Sequence, residues 1–427
     1  MKKRILSCLM ALALCLTLLP TAALAAEGEG STQSHIHYLC GGSNSCTCPE
    51  GHKEGTGPVE FEAWTDDTSL PTTAGYYYLT KNVTRPAVWE PGEGVVLCLN
   101  GFSITTTKDF RDGHTIGVEN TLTICNCQNK GSISNETNDT YNGRVVNVTG
   151  GTFKLYGGTI TGGYTAQGGG AVYVTGDSEN KKGMFELYGG SITDNTAVFG
   201  GGVGVDRNGA FTMYGGTISG NFAGGSYEQG GGVYLNGGTF TMSGGEITAN
   251  CTTTYYSGKG GGVYVNSGTF NMTGGEITGG SAEKNIFRYG GGVYLNSGTF
   301  NMSGTARITD NTVSGPKNNP SSRGGGVYVN GGTFTMSGSA EISSNKVQSS
   351  LSSGNILGGG VYVGSSGTFN MSGSAKITNN QASGTGETLD GGGVAVNGGT
   401  FTMSENAELS GNTATHTGGG VYVGSGA

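Results

Sequence analysis

Short alternating apolar stretches, separated by glycines, recur along the last two-thirds of the chain. A typical unit reads GGGVYLNGGTFTMSGGEITAN from Gly230 to Asn250. Apolar and polar residues alternate around Val233 and around Phe240, and Ile247 follows a further glycine pair. Alternation with a period of two is typical of β-strands, in which successive side chains point to opposite faces. Each unit therefore predicts three short strands joined by glycine turns.

This unit is an internal repeat. A triple glycine opens it nine times, at spacings of 27 to 34 residues. Self-similarity with such a period indicates a solenoid, a propeller or an array. A propeller blade needs four longer antiparallel strands, and a leucine-rich repeat needs regularly spaced leucines, which are scarce here. The pattern therefore favours an all-β fold, a parallel β-helix with one coil for each unit.

The inward-pointing residues would stack from coil to coil and form the core. One such column is phenylalanine throughout: Phe153, Phe185, Phe211, Phe240, Phe270, Phe300, Phe334, Phe369 and Phe401. Looser versions of the unit between residues 95 and 149, such as VVLCLNGFSI, predict further coils before the regular ones. We expect about eleven coils in a single-stranded solenoid, with a length of roughly 50 Å at ~4.8 Å per coil.

A second column lies three residues beyond the isoleucine, or beyond the leucine of the last unit. It contains Asn195, Asn221, Asn250, Asn311, Asn345, Asn380 and Asn412, with Gly163 and Gly280 in two units. Asparagine and glycine tolerate a positive φ, so we predict a turn with positive φ at this column. Stacked asparagines would also pass amide hydrogen bonds from coil to coil. Length varies only between this turn and the next triple glycine, which predicts loops on one face.

The first residues have the pattern of a secretory signal peptide, with Lys2, Lys3 and Arg4 ahead of an apolar run and small residues before position 26. No later segment has the roughly 20 apolar residues that span a membrane. We therefore expect a secreted, extracellular or cell-surface chain whose mature part has no membrane span. Its expected divisions are a signal peptide at 1–26, a flexible His/Cys-rich segment at 27–58, an N-terminal cap with the first coils at 59–150, and regular repeats at 151–427. The last unit stops after its first strand, so we expect a truncated array or a separate cap.

Composition narrows the possible partners. Glycine accounts for 86 of 427 residues without the period of three of collagen, which agrees with tightly turned repeats. Without the predicted signal peptide, 19 basic and 30 acidic residues remain, a net charge of −11. Because nucleic-acid binding depends on neutralising phosphates with basic side chains, we expect no nucleic-acid partner.

The segment HIHYLCGGSNSCTCPEGH is a candidate metal site. It supplies imidazole and thiol groups at His35, His37, Cys40, Cys46, Cys48 and His52. These ligand types suit one tetrahedral zinc ion, although their spacing matches no standard zinc finger. Disulfides, free thiols or a spacer without a site are alternatives, and seven mature cysteines cannot all pair within one chain. Cys98, Cys125 and Cys127 lie on early coils, where they could pair or cap the stack.

A tyrosine column lies between the two inward residues of the first strand. Its uninterrupted part is the candidate ligand-binding set Tyr234, Tyr264, Tyr294, Tyr328 and Tyr362. Exposed rings in such a stripe could stack on sugar rings. Alternatively, the variable loops fold over the rings and leave only the hydroxyls in water. The sequence favours this alternative, because exposed apolar patches of that length are uncommon.

The residue before the isoleucine forms a charged column that reads Glu246, Glu276, Arg307, Glu341, Lys376 and Glu408. From Glu276 onward the signs alternate, which favours pairing between neighbouring coils. Glu246 and Glu276 are like charges one coil apart, at about the separation of the carboxylates in a retaining glycosidase. They are the catalytic candidates in the repeats. A calcium-dependent lyase would need acids on adjacent coils, whereas Asp194 and Asp310 lie four units apart.

The repeats resemble those of large surface proteins of Gram-positive gut anaerobes, which carry right-handed β-helix repeats of the GGGVYVNGGTFTMSGGEIT type. The upstream segments HIHYLCGG, LPTTAGYYYLTKNV and VVLCLNGFSI look like the segments that precede such repeats, so the resemblance covers most of the mature chain. It implies a right-handed coil, in agreement with the general preference for right-handed crossovers. It also implies a secreted or surface-exposed, adhesin-like protein, and it supplies no catalytic residues.

We therefore expect a structural, adhesin-like β-helix that displays its loops, and possible binding groups such as the tyrosine stripe, to host or cell-wall glycans or surface proteins. No cofactor is expected, and zinc in the His/Cys-rich segment is the one alternative. The alternative is a carbohydrate-active β-helix enzyme, either a polysaccharide lyase or a glycoside hydrolase. The absence of an evident cleft in the repeat pattern favours the first interpretation.

Overall fold

The fold is taken from a computed structural model of the whole chain. The chain divides into the units Met1–His35 and Ile36–Ala427, and the solenoid belongs to the second unit. The structure describes residues 35–37, 59–85, 87–106, 113–128, 130–135, 143–178, 181–225, 229–252, 258–282, 288–314, 321–349, 355–385 and 388–424.

The solenoid is all-β, and neighbouring coils pair through parallel strands, as in the register Phe240 to Phe270. Within the described ranges there is no α-helix. No helix there has the length and apolarity of a membrane-spanning segment. The predicted parallel β-helix is thus confirmed, with about nine turns in place of the expected eleven or so. The early coils are less regular, since the third sheet begins only at Tyr164.

The first sheet holds the first and second predicted strands of every unit. In the middle coils these two strands run on as one, for example Val233–Met242. The predicted glycine turn between them is a bend within the strand, where Gly237 has a φ of 93°. The sheet comprises Val59–Trp64, Gly75–Leu79, Val95–Cys98, His114–Val118, Thr121–Cys125, Arg144–Thr149, Thr152–Leu155, Val172–Thr175, Gly183–Leu187, Val203–Val205, Gly209–Met213, Val233–Met242, Val263–Met272, Val293–Leu295, Thr299–Met302, Val327–Met336, Val361–Met371, Val394–Val396, Thr400–Met403 and Val421–Val423.

The second sheet holds the isoleucine strands. Its twelve strands are Val83–Arg85, Ser103–Thr106, Ser132–Asn135, Thr159–Thr161, Ser191–Thr193, Thr217–Ser219, Glu246–Thr248, Glu276–Thr278, Arg307–Thr309, Glu341–Ser343, Lys376–Thr378 and Glu408–Ser410. A glycine-rich corner, which we call the glycine corner, joins each second strand of the first sheet to this sheet. A further short strand, His35–His37, precedes the solenoid.

The structure contains two additional sheets that the sequence pattern did not predict. They flank the variable loops. The third sheet comprises Tyr164–Gly168, Thr196–Phe199, Phe222–Ala223, Cys251–Thr252, Ser281–Ala282, Thr312–Ser314, Lys346–Ser349, Gln381–Gly384 and Thr413–Ala414. The fourth sheet comprises Gly258–Lys259, Arg288–Tyr289, Ser322–Arg323, Asn355–Leu357 and Thr388–Asp390. The loops therefore leave and return to the solenoid along ordered strands.

The predicted phenylalanine column forms the centre of the core. Eight of its nine rings are fully buried, and only Phe401 in the last complete coil is half-buried. Neighbouring rings stack nearly parallel, with centroids 4.6 Å apart between Phe240 and Phe270 and 5.2 Å apart between Phe153 and Phe185. Valine, methionine and isoleucine columns pack around it, so each coil adds the same set of contacts to the last.

The asparagine column lies inside the core, and its side chains form the predicted ladder. The Nδ2 of Asn345 donates to Asn380 Oδ1 at 2.9 Å and to the carbonyl of Ile308 at 2.9 Å. The backbone N–H of Asn345 donates to the same Oδ1 at 2.9 Å. In turn, Asn345 Oδ1 accepts the backbone N–H and Nδ2 of Asn311. The side chain of Asn345 thus bonds two buried backbone groups of the preceding coil, the N–H of Asn311 and the carbonyl of Ile308.

The prediction that the asparagines themselves have positive φ is wrong by one residue. The left-handed residue is the one before, for example Ala249 at 51° and Ser344 at 58°. Glycine takes this place at Gly220, Gly279 and Gly411. The physical reason is that the residue at the reversal must point its own side chain outward. The asparagine that follows it is then directed into the core.

Replacing Asn345 by Ala should destabilise the solenoid by at least about 2 kcal/mol, because buried backbone groups then lose their partners at about 1–3 kcal/mol each. The matched control is Asn330→Ala, which removes a half-buried amide that donates to Asn296 Oδ1 at 3.2 Å. Urea midpoints of the two variants provide the comparison. An equal or larger effect of Asn330→Ala would contradict the role given to the inner ladder.

Replacing Ala249 by Gly should stabilise the protein, unlike most alanine-to-glycine changes. A left-handed φ costs a residue with a Cβ about 1–2 kcal/mol, and glycine loses about 0.5–1 kcal/mol through its greater unfolded freedom. The net gain is therefore about 0–1.5 kcal/mol. Ala210→Gly in the strand Gly209–Met213 is the control and should lower stability. A fall in the thermal midpoint of Ala249→Gly would show that the turn is not strained.

Candidate functional site

The predicted zinc segment lies almost entirely outside the described residues. This applies to Cys40, Cys46, Cys48 and His52, and of His37 only the backbone is described. His35 is half-buried, and burial lowers the pKa of its imidazole. A zinc site formed by these six residues stays a prediction.

The tyrosine stripe is buried by the loop strands. Tyr264, Tyr294, Tyr328 and Tyr362 are only 2 to 5% exposed, whereas Tyr234 is half-buried. The fourth sheet covers them: the Tyr289 ring lies 4.9 Å from the Tyr328 ring, between ring centroids. Two cations of the same sheet lie over the rings, Lys259 Nζ at 5.4 Å from Tyr294 and the Arg323 guanidinium at 5.0 Å from Tyr362.

This arrangement is the loop-covered alternative of the sequence analysis, with one correction. The hydroxyls were expected to stay wet, but burial raises the pKa of Tyr264, Tyr294 and Tyr328 above the ordinary phenol value. These phenols are therefore held in the neutral form within a second apolar cluster. The stripe offers no open ring face to a sugar, and a ligand-binding role for it stays a prediction.

The two candidate catalytic acids line one shallow, open depression of about 490 Å³ at the glycine corner. We call it the corner notch. Its lining residues are Gly216, Thr217, Gly245, Glu246, Gly275, Glu276, Thr305 and Arg307. Glu246 and Glu276 are register partners on neighbouring strands, as their column position predicted.

The two acids have different surroundings. Arg307 Nε lies 3.6 Å from Glu276 Oε1, and the Thr309 hydroxyl donates to the same oxygen. Glu246 has no ion-pair partner within the described part of the chain. The predicted alternation continues beyond the notch, where Arg307 also approaches Glu341 at 3.7 Å and Lys376 approaches Glu408 at 3.8 Å. Glu276 is thus paired with a cation, whereas Glu246 is not paired with one in the described residues.

Corner length explains why the notch lies at this place. The corners through Gly245 and Gly275 contain a glycine pair, as in MSGGEI, whereas the next corner reads MSGTARI and is one residue longer. Exposed Thr305 belongs to this longer corner and forms one end of the notch. A Cβ at Gly245 would meet Gly216 O at 2.7 Å, and one at Gly275 would meet Gly245 O at 2.8 Å, so the floor is bare backbone.

A different tyrosine column runs along the glycine corner before the notch, and sequence reasoning missed it. Tyr156, Tyr188 and Tyr214 are half-buried, and their rings stack with centroids 4.3 and 4.7 Å apart. Ser243 follows Tyr214 in this column, since Met213 and Met242 are in register. The sequence did contain a signal for this column. A tyrosine directly before a glycine pair belongs to a corner, and no loop covers the corners.

Three thiols meet on the early coils, at the other end of the same corner column. Cys98 and Cys125 are register partners in adjacent strands and are buried, and Cys127 is half-buried. Cys98 Sγ lies 3.6 Å from Cys127 Sγ. A hydrogen bond with Cys125, together with burial, raises the pKa of Cys98 to about 12, although Cys127 acts in the opposite direction.

Comparisons of the chain with protein-family models, with curated proteins and with solved structures find no match. Function has therefore to be inferred from the fold and from the geometry of its surface.

Tyrosine nitration should distinguish the covered stripe from exposed rings. Tyr264, Tyr294, Tyr328 and Tyr362 should be modified at least about ten times more slowly than Tyr76 and Tyr164, which are 38% and 37% exposed. The reason is that nitration needs both access and a phenolate, and burial opposes each. Peptide mass spectrometry of the native protein measures the rates. Equal nitration of the two groups would mean that the loops stand away from the stripe in solution.

Proposed function

We propose that this chain is a secreted or cell-surface, adhesin-like β-solenoid that binds glycans at the corner notch without transforming them. The observation that carries the proposal is the notch itself, a shallow bare-backbone depression with carboxylate, hydroxyl and guanidinium groups at its rim. A depression of about 490 Å³ lies within the usual size range of small-ligand sites.

The chemistry of the rim suits a neutral sugar. Carboxylates and the Thr217 and Thr305 hydroxyls can pair with sugar hydroxyls, since together they offer acceptors and donors. Arg307 pairs with Glu276, which reduces the negative charge that a divalent cation would need from the two carboxylates. The open shape admits a chain end or a branch without a conformational change. Tyr214, in the same corner as Gly216 and Thr217 of the notch, adds a half-buried aromatic surface.

The regular parts of the repeat favour a scaffold role for the rest of the molecule. The phenylalanine and asparagine columns are buried, and the tyrosine stripe is covered by loop strands. These columns serve folding, and their repetition makes a stiff rod that holds one surface site at a fixed place. Such a division between a rigid frame and a local site is common in solenoid proteins.

A carbohydrate-active enzyme is the second candidate, and the shared position of Glu246 and Glu276 favours it. A retaining glycosidase needs one carboxyl with a raised pKa as general acid and one ionised carboxylate as nucleophile. Burial usually separates the two roles, but the notch is open to solvent on both acids. Glu276 is the one of the two that lies beside a cation, Arg307, so in this alternative Glu276 would be the nucleophile and Glu246 the acid.

A glycan array with matched glutamate variants tests the proposal. Glu246→Gln and Glu276→Gln keep the shape of the side chains and remove their charge, and each should weaken binding at least about tenfold, which corresponds to about 1.4 kcal/mol. Glu408→Gln, in the same column but outside the notch, is the control and should bind like the parent chain. Unchanged glycan binding by both notch variants would show that the notch is not the binding site.

Activity assays on the glycans that bind separate the two candidates. The parent chain should release no new reducing or unsaturated ends. Release that is lost in Glu246→Gln and retained in Glu408→Gln would instead establish the enzyme.

A further inference from the structure

The outward-facing residues of the second strand form an uncharged surface in the later coils. Each of these strands presents two such positions, and the first is threonine in all six coils from Thr239 to Thr400. The second is threonine or asparagine throughout, from Thr241 to Thr402. We call these two columns the threonine face. Thr239, Thr400 and Thr402 are exposed, and the other members are half-buried.

The threonine face repeats with little twist from coil to coil. The phenylalanine rings behind it stack with centroids 4.6 Å apart, both between Phe240 and Phe270 and between Phe270 and Phe300, at interplanar angles of 1° and 4°. Along each strand, the two outward positions lie about 6.6–6.8 Å apart. The face is therefore a flat, regular lattice of hydroxyl and amide groups, about 24 Å long at the usual strand spacing.

The side chains of this lattice are held in place before any ligand arrives. Asn301 Nδ2 donates to Asn271 Oδ1 at 2.9 Å, which fixes both amides in the column. A paired amide keeps a second N–H and further lone pairs for a ligand. The threonines are β-branched and have few rotamers on a strand. Little side-chain entropy is therefore lost when a ligand binds to the face.

The lack of charge selects the chemistry of the ligand. Where the same positions carry charges, in earlier coils, Lys154 Nζ and Glu186 Oε2 pair with each other at 3.4 Å. A charged ligand would find no opposite charge on the threonine face, whereas a neutral ligand rich in hydroxyls can bond both threonine and asparagine. Each such bond replaces one to water and contributes little by itself, so binding needs many contacts in parallel.

The threonine face is continuous with the corner notch. Gly245 and Gly275 line the notch, and they follow Thr241 and Asn271 of the face by four residues each. One ligand can therefore contact both surfaces, with its body on the face and an end or branch in the notch.

We propose that the threonine face binds the surface of an insoluble, uncharged polysaccharide whose chains lie side by side. A solid of this kind suits a rigid lattice, because its chains are already ordered and lose little freedom on contact. A chain in solution would lose much more. The inference rests on the glycan binding proposed for the notch, and it names the class of glycan.

Adsorption of the full chain to microcrystalline cellulose and to crystalline chitin tests the proposal. The parent chain should be depleted from solution by at least one of these solids. Thr299→Lys should lower its partition coefficient at least about tenfold, because a long charged side chain in the middle of the face interrupts many contacts at once. Thr161→Lys, the same change at a half-buried outward position of the second sheet, is the control and should adsorb as the parent does.

Two results would overturn the proposal: no adsorption of the parent chain to either solid, or equal adsorption of Thr299→Lys and the parent. A glycan array of soluble oligosaccharides separates these results from a failure of the notch. Thr299→Lys should keep the array binding of the parent, which also shows that the variant is folded. If the notch is not a binding site, Glu246→Gln leaves array binding unchanged, whatever happens on the solids.

A second measurement needs no variant. Salt screens interactions between charges, so adsorption of the parent chain through an uncharged face should change less than about twofold when NaCl is raised tenfold. Loss of adsorption at the higher salt concentration would place the contact on a charged surface and overturn the proposal. Uptake of the parent chain into growing ice, with no adsorption to either polysaccharide, would overturn it as well, because the face would then bind ordered water.

Discussion

Every coil of this solenoid must reverse its backbone at the same place, and the reversal leaves amide groups inside the core that no strand can pair. Unpaired buried amides cost about as much as a lost hydrogen bond. The asparagine ladder removes this cost. The side chain of each asparagine accepts a hydrogen bond from the backbone N–H at the same position in the preceding coil and donates one to the carbonyl of the isoleucine that precedes that position. Where Gly163 and Gly280 replace asparagine, their own N–H groups still donate to Asn195 and Asn311. The ladder therefore sets one cross-section for the coils from Gly163 to Asn412.

A fixed cross-section has consequences on the outside of the rod. Most of the variation in length lies in the loops, and their ordered strands fold back over the tyrosine stripe. The glycine corner has no such cover, so a change of one residue in corner length between Gly275 and Thr305 is enough to form a notch. The proposed binding site is thus a local departure from the repeat, held in position by the repeat.

Much of the fold could be predicted from the sequence, because strand alternation and stacked columns are local patterns. The phenylalanine and asparagine columns follow directly from the repeat. The pairing of Glu246 with Glu276 follows from their shared position in it. The position of the positive φ was missed because asparagine tolerates a positive φ, whereas in this fold the residue before the asparagine has it. The half-buried column of Tyr156, Tyr188 and Tyr214 was missed because it depends on which surfaces the loops cover. The three early cysteines were placed on the first coils, but the contact between Cys98 and Cys127 depends on coil register.

Hydrogen exchange at the ladder amides tests the central claim most directly. The backbone N–H groups of Asn311 and Asn345 are buried and donate to side-chain oxygens of the next coil. If the ladder organises the solenoid, these two should exchange as slowly as the amides of the stacked phenylalanine strands, such as that of Phe334. Exchange as fast as at an exposed loop edge, for example at Ser178, would mean that the turns open independently of the core and would contradict the account.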